Sequence, residues 1–146
     1  MKPVTVSDIQ KMRDQGKRIT MLTAYDYPTA KLAEQAGIPI LLVGDSLGNV
    51  VLGYDSTVPV TVEDMIHHGK AVVRGVERTH VVVDMPFGSY QGGWQDAMHT
   101  AVRIMQETGC GSVKLEGGVR SAKAVSKLVE AGIPVIFCSE LIKVFP

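Results

Sequence analysis

The chain has 146 residues, 15 Lys+Arg against 15 Asp+Glu, 45% hydrophobic residues and two cysteines. That length suits one domain with a sizeable core, and zero net charge favours neither nucleic acid nor a membrane surface as partner. No apolar run approaches the ~20 residues of a membrane span, no signal-like stretch follows Met1-Lys2-Pro3, and Cys110 and Cys138 fit no zinc or redox spacing, so a cytoplasmic location is expected.

In chain order, Thr5 to Gly16 reads as a leading helix with Ile9 and Met12 on one side, and Lys17 to Ala24 as a first strand. Asp26 is placed to cap a helix with Pro28 in its first turn, ending at Ala36-Gly37. Ile38 to Gly44 is the second strand, and Asn49 to Val60 a glycine-containing loop or hairpin. Thr61, with Asp64 at the capping-box position, starts a helix to Arg74. His80 to Asp84 is the third strand. Trp94 to Thr108 is a helix with Trp94, Met98, Ala101, Val102 and Met105 on its apolar face. Ser112 to Glu116 is strand four, Ser121 to Ala131 a helix and Ile133 to Phe137 strand five. Glu34-Gln35-Ala36-Gly37-Ile38-Pro39-Ile40 recurs in compressed form as Glu130-Ala131-Gly132-Ile133-Pro134-Val135, which marks a repeated helix–strand unit.

Buried strands alternating with amphipathic helices imply a parallel sheet, whose function sits at the C-terminal strand ends whether it is open or closed. No glycine-rich phosphate fingerprint follows the first strand, which favours an α/β fold of the TIM (β/α)8 barrel family. Full barrels take ~250 residues, so about the first five β/α units are expected here, a partial barrel.

Three apolar runs end in an acid: Ile40-Leu41-Leu42-Val43-Gly44 in Asp45, Val81-Val82-Val83 in Asp84, and Ser112-Val113-Lys114-Leu115 in Glu116. On adjacent parallel strands these carboxylates surround one point, and oxygen donors without sulfur suit a hard cation such as Mg²⁺. Alternation puts Lys114 on the face of Glu116. Taken singly, Asp45 or Asp84 could equally be a helix N-cap, and a rim salt bridge is the alternative for Lys114–Glu116. Gly44-Asp45-Ser46-Leu47 is also similar to the opening of GDSL hydrolases, with Asp64-Met65-Ile66-His67 as acid and base. That pair follows too closely and within one helix, which counts against the reading. The adjacent His67 and His68 cannot make an i, i+4 metal pair.

Thr23-Ala24-Tyr25-Asp26-Tyr27, Leu42-Val43-Gly44-Asp45-Ser46-Leu47-Gly48, Gly53 to Thr61, Asp84-Met85-Pro86-Phe87-Gly88-Ser89-Tyr90 and Val113-Lys114-Leu115-Glu116-Gly117-Gly118 together resemble the ketopantoate hydroxymethyltransferase family. The resemblance implies a metal-dependent barrel of the phosphoenolpyruvate/pyruvate-like group. Such enzymes transfer a one-carbon unit from 5,10-methylenetetrahydrofolate to 3-methyl-2-oxobutanoate, giving 2-dehydropantoate for pantothenate and coenzyme A. It further implies Mg²⁺ at Asp45, Asp84 and Glu116, directly or through water. The 2-oxo acid would contact Asp45, Ser46, Asp84 and Lys114, and subunits would assemble as homo-oligomers, decamers in this family.

The resemblance runs to about Pro134. Residues 1–134 are expected to form the N-terminal portion of one barrel domain and 135–146 a divergent tail from a truncation or frameshift. The glutamate the family uses as general base is expected beyond this chain, leaving it catalytically incomplete and, with open strand edges, prone to associate. Two alternatives keep the same residues: a Mg²⁺-dependent 2-oxo acid lyase of the related barrels, and a non-catalytic remnant that associates with other subunits.

Overall fold

The computed structural model describes residues 3–138. Five strands, β1 (Met21–Thr23), β2 (Ile40–Val43), β3 (His80–Asp84), β4 (Ser112–Glu116) and β5 (Val135–Cys138), form one sheet in the order β1-β2-β3-β4-β5, every neighbouring pair parallel. Helices α1 (Val6–Asp14), α2 (Tyr27–Gln35), α3 (Leu47–Val50), α4 (Val62–Arg74), α5 (Trp94–Thr108) and α6 (Ala122–Glu130) alternate with them, with a 3-10 turn at Gly118–Ser121. α2 packs on α4, α4 on α5 and α5 on α6. A doubly wound sheet reverses its strand order at a switch point; an unbroken sequential order with one contiguous helix layer is how a (β/α)8 barrel begins.

Alternation along the strands divides the core. Leu41, Val43, Val81, Val83, Val113 and Leu115 face the helices within one apolar cluster. Ile40, Leu42, His80, Val82, Asp84, Ser112, Lys114 and Glu116 therefore share the opposite face, the one a barrel turns inward. Every β3 residue is buried, as expected for a parallel strand covered on both faces.

Local chemistry sets the helix ends. Thr61 Oγ1 accepts the Asp64 N–H at 3.1 Å while Asp64 Oδ2 accepts the Thr61 N–H at 2.9 Å, the reciprocal box expected for α4. Thr5 and Asp8 repeat it on α1, and Asp26 caps α2 through the Thr29 N–H at 2.8 Å. α5 stops at Gly109, whose φ of 75° a side chain would disfavour. A longer-range clasp joins α2 to the start of β3. Glu34 Oε1 accepts the backbone N–H groups of Glu77, Arg78 and Thr79 at 3.0, 2.7 and 2.9 Å.

Several expected bounds move. The first strand is three exposed residues rather than 17–24, the second shortens to Ile40–Val43, and the last helix begins with the 3-10 turn. The expected loop after Asn49 is preceded by the single-turn α3, which reaches Val50. The deepest face of α5 is Ala97, Thr100, Ala101, Ile104 and Thr108, with Trp94, Met98, Val102 and Met105 packed at its margin. Small residues take the centre because α4 and α6 flank α5 on both sides. β5 takes in Val135–Cys138, the first four residues of the tail set apart from the sequence; residues 139–146 lie outside the described residues. No helix among the described residues is long and apolar enough to cross a membrane.

Candidate active site

β3 and β4 run parallel with Asp84 opposite Lys114. Lys114 Nζ donates to Asp84 Oδ1 at 2.9 Å and to Glu116 Oε1 at 2.8 Å, so one ammonium joins two strand-end carboxylates. The Asp84 and Lys114 side chains are only 8% and 12% exposed while that of Glu116 is 47% exposed, so the line runs from the interior towards solvent. Asp84 Oδ2 accepts the Asp45 backbone N–H at 3.1 Å, which binds the end of β2 to the end of β3. Asp45, Asp84, Tyr90, Lys114 and Glu116 line one small recess.

Ser46 begins α3 without capping it; its Oγ lies 2.8 Å from the Tyr25 hydroxyl. Tyr25 is steadied in turn by His68 of α4, whose Nδ1 donates to the Tyr25 carbonyl at 2.7 Å. Gly44 leaves room for this arrangement: a Cβ there would stand 3.0 Å from Ser46 Oγ and 3.4 Å from Asp84 Oδ2.

Burial pushes the Asp84 carboxyl above its ordinary pKa, partly offset by the charge and hydrogen bond of Lys114 and by the Asp45 N–H. Asp45 is also raised, first by burial, with Lys114 opposing and Glu116 adding to the shift. Burial alone would lower Lys114, but the Asp84 and Glu116 carboxylates outweigh it and hold the amine as an ammonium. The Tyr90 phenol is raised, chiefly by burial. The recess thus sets one ammonium among three acids, two of them with carboxyls raised by burial.

An oxygen-only donor set fits Mg²⁺ chemically. Among the described residues no three side chains converge closely enough to ligate one ion directly: Asp84 and Glu116 both point an oxygen at Lys114, and Asp45 meets Asp84 through its backbone. Mg²⁺ usually keeps several waters and takes one or two carboxylates directly, so the arrangement fits an ion reached partly through water.

The hydrolase alternative loses its parts. Asp64 is spent on the α4 capping box, and Ser46 Oγ contacts Tyr25 rather than a histidine. Three contributors escaped the sequence reading: Tyr25, His68 and Tyr90. Tyr25 and Tyr90 stand within the resembling segments, which was the available signal; loop positions have no periodicity to expose them.

Fold and site together define a (β/α)8-barrel protein with a carboxylate–lysine cluster at the strand ends. Residues 3–138 match the family model described as ketopantoate hydroxymethyltransferase, and the chain belongs to that family. It is 60% identical over 136 residues to the 3-methyl-2-oxobutanoate hydroxymethyltransferase of Carboxydothermus hydrogenoformans, covering 93% of this chain and 49% of the relative. For the protein of the same name from Chloroflexus aurantiacus the figures are 59% over 133 residues, 91% and 47%. The chain therefore spans about half the length of the curated relatives it matches. Among solved structures, a trigonal crystal form of 2,3-dimethylmalate lyase, a PEP mutase/isocitrate lyase superfamily member, aligns with a TM-score of 0.69 at 19% identity, over 98% of this chain and 53% of that one. Phosphonopyruvate hydrolase in complex with oxalate and Mg²⁺ aligns with a TM-score of 0.66 at 15% identity, over 88% and 50%. These two likenesses establish the barrel fold, of which the described residues form four β/α units and a fifth strand.

Proposed function

We propose that this chain carries the metal and 2-oxo acid portion of a site that transfers a hydroxymethyl group from 5,10-methylenetetrahydrofolate to 3-methyl-2-oxobutanoate, forming 2-dehydropantoate for pantothenate and coenzyme A synthesis. The observation that carries the reading is the Asp84–Lys114–Glu116 line at the strand ends, in a chain of this family. In the overall reaction C3 of the acid loses a proton and bonds to the donor's methylene carbon. Water supplies the hydroxyl, and tetrahydrofolate leaves with no external oxidant or reductant.

Asp45, Asp84 and Glu116 would hold Mg²⁺, directly or through water. When bound, the ion supplies positive charge beside the oxyanion of the deprotonated acid. Lys114 adds a second positive charge that Asp84 and Glu116 fix in place. Ser46, oriented by Tyr25, is suited to hold the substrate carboxylate with a neighbouring backbone N–H, and Asp45 and Asp84 complete the contacts. Removal of the C3 proton falls to a base outside residues 3–138, and assembly into homo-oligomers belongs to the same proposal. A lyase reaction on this site finds less support, because relatives near 60% identity are named as transferases.

Titrating the 146-residue chain with 3-methyl-2-oxobutanoate, with and without Mg²⁺, tests the reading. Binding is expected to require Mg²⁺ and to weaken roughly 100-fold in Asp84→Ala, as loss of a buried charge partner predicts. Mg²⁺-independent binding, or unchanged affinity in the variant, would overturn it.

A further inference from the structure

We propose that His68 is a positioning residue of the recess. By holding Tyr25 it makes the phenol donate to Ser46 and leaves the Ser46 proton for a carboxylate, a role that rests on the function proposed above for the recess. Tyr25 lies between two fixed points. Before it, the Ala24 N–H donates to the Leu42 carbonyl of β2 at 3.0 Å; after it, Asp26 caps α2. The Tyr25 carbonyl between them is gripped by His68, 43 residues later, whose Nδ1 donates to it at 2.7 Å. That donor is firmly mounted. His68 is half-buried on α4, and the next residue, Gly69, is buried so tightly that a Cβ there would fall 2.9 Å from Thr108 Cγ2 of α5. The exposed His67 ring stands edge-on to the His68 ring, with centroids 5.3 Å apart.

The proton count gives the Tyr25–Ser46 contact a direction. A serine hydroxyl carries one proton; if Ser46 gives it to Tyr25, its oxygen can only accept and faces an anion lone pair to lone pair. With the phenol donating, Ser46 Oγ accepts at 2.8 Å and its own proton is free to turn towards the recess. Ser46 spends no side-chain bond on capping α3. A Cβ on Gly44 would stand within 3.4 Å of both Ser46 Oγ and Asp84 Oδ2, so the hydroxyl and the recess carboxylate border one small space. The ring that aims this hydroxyl is set by its own backbone, and His68 is what holds that backbone from α4.

The test uses the full chain with its tyrosines ¹³C-labelled at Cζ, first free and then titrated with 3-methyl-2-oxobutanoate and Mg²⁺. The chain has four tyrosines, and the resonance that Tyr25→Phe removes is that of Tyr25. In His68→Leu this resonance is expected to move and the 2-oxo acid affinity to fall about fivefold, the worth of one hydrogen bond. His68→Asn, which keeps an N–H close to the position of Nδ1, should restore both. A merely structural role would cost the same affinity whether or not residue 25 has a hydroxyl. The His68→Leu loss is instead expected to shrink to within about twofold in the Tyr25→Phe background. His68→Phe, a ring without a donor, replaces the leucine variant if that one does not fold. An unmoved Tyr25 resonance, or the full loss persisting in the Tyr25→Phe background, overturns the positioning role. If wild type binds the acid and His68→Leu binds it equally well, the role falls and the reading of the recess stands. Failure of the wild-type chain to bind the acid removes both.

Discussion

At the N-terminal end of the inward sheet face, His80 bonds to Ser112 on one side and to Val4, near the start of the described chain, on the other. At the C-terminal end, Asp84, Lys114 and Glu116 bond along a line that emerges into a recess. His80 Nδ1 faces the Val4 carbonyl at 3.2 Å, and a carbonyl can only accept, so the proton sits on Nδ1 and Nε2 accepts from Ser112 Oγ at 2.8 Å. Both ends arise from one alternation along the same strands. What separates them is the covering: Val4 and Gly111 close over the imidazole, and a Gly111 Cβ would stand 2.4 Å from the ring. The enclosed end holds a neutral pair and the other end holds charges that reach a recess; barrels commonly keep stability at the first end and chemistry at the second.

The largest effect should come from Asp84→Ala, which leaves Lys114 and the Asp45 N–H short of an acceptor in a nearly dry place. Denaturant unfolding should show a loss of about 3 kcal/mol together with loss of 2-oxo acid binding. A change at the enclosed end should separate the two properties. Gly111→Ala drives a methyl into the His80 ring, costing about 2 kcal/mol in unfolding measurements and nothing in ligand affinity for the protein that remains folded. An affinity loss matching Asp84→Ala would erase the distinction. Tyr25→Phe keeps the ring and removes only the partner of Ser46. Titration should show 2-oxo acid affinity falling about fivefold, with a stability change under about 1 kcal/mol.

The smallest effect is in pH dependence, where the two ends carry opposite signs. Burial holds His80 below the ordinary imidazole value, against the Val4 hydrogen bond. The unfolded chain therefore takes that proton first. The stability of the neutral ring is complete above about pH 6.5 and is lost as pH falls towards the lower folded value. Asp45 and Asp84 are raised, so their ionisation costs stability as pH rises from about 4 through their folded values. Thermal melts of His80→Gln should flatten the loss between pH 6.5 and 5; an unchanged slope would show that the ring is not its source.

Much of the fold was legible because its signals are local. β3, α5 and β4 have the bounds that periodicity and flanking glycines suggested, and the Thr61–Asp64 box is in place. α3 was not, since four residues that include Gly48 carry no helical period, and β1 is shorter because pairing with β2, not propensity, ends it. At the site, alternation alone put Lys114 beside Glu116. That Lys114 also bonds Asp84 depends on inter-strand register, which no single-strand pattern contains. The Tyr25–Ser46 and Tyr25–His68 contacts join positions 21 and 43 residues apart and needed the fold itself.

The Glu34 clasp gives the molecule an unusual dependence. Burial alone would raise this carboxyl, but three backbone N–H groups hold it below its ordinary value, so it stays ionised and attached near neutral pH. The turn that passes the chain from α4 into β3 is therefore fastened by a side chain from the preceding helical unit. Amide hydrogens at Glu77, Arg78 and Thr79 should exchange with solvent only as often as α2 lets go. A surface connection that sequence variation would ordinarily be free to lengthen is instead tied in length to a helix more than forty residues earlier.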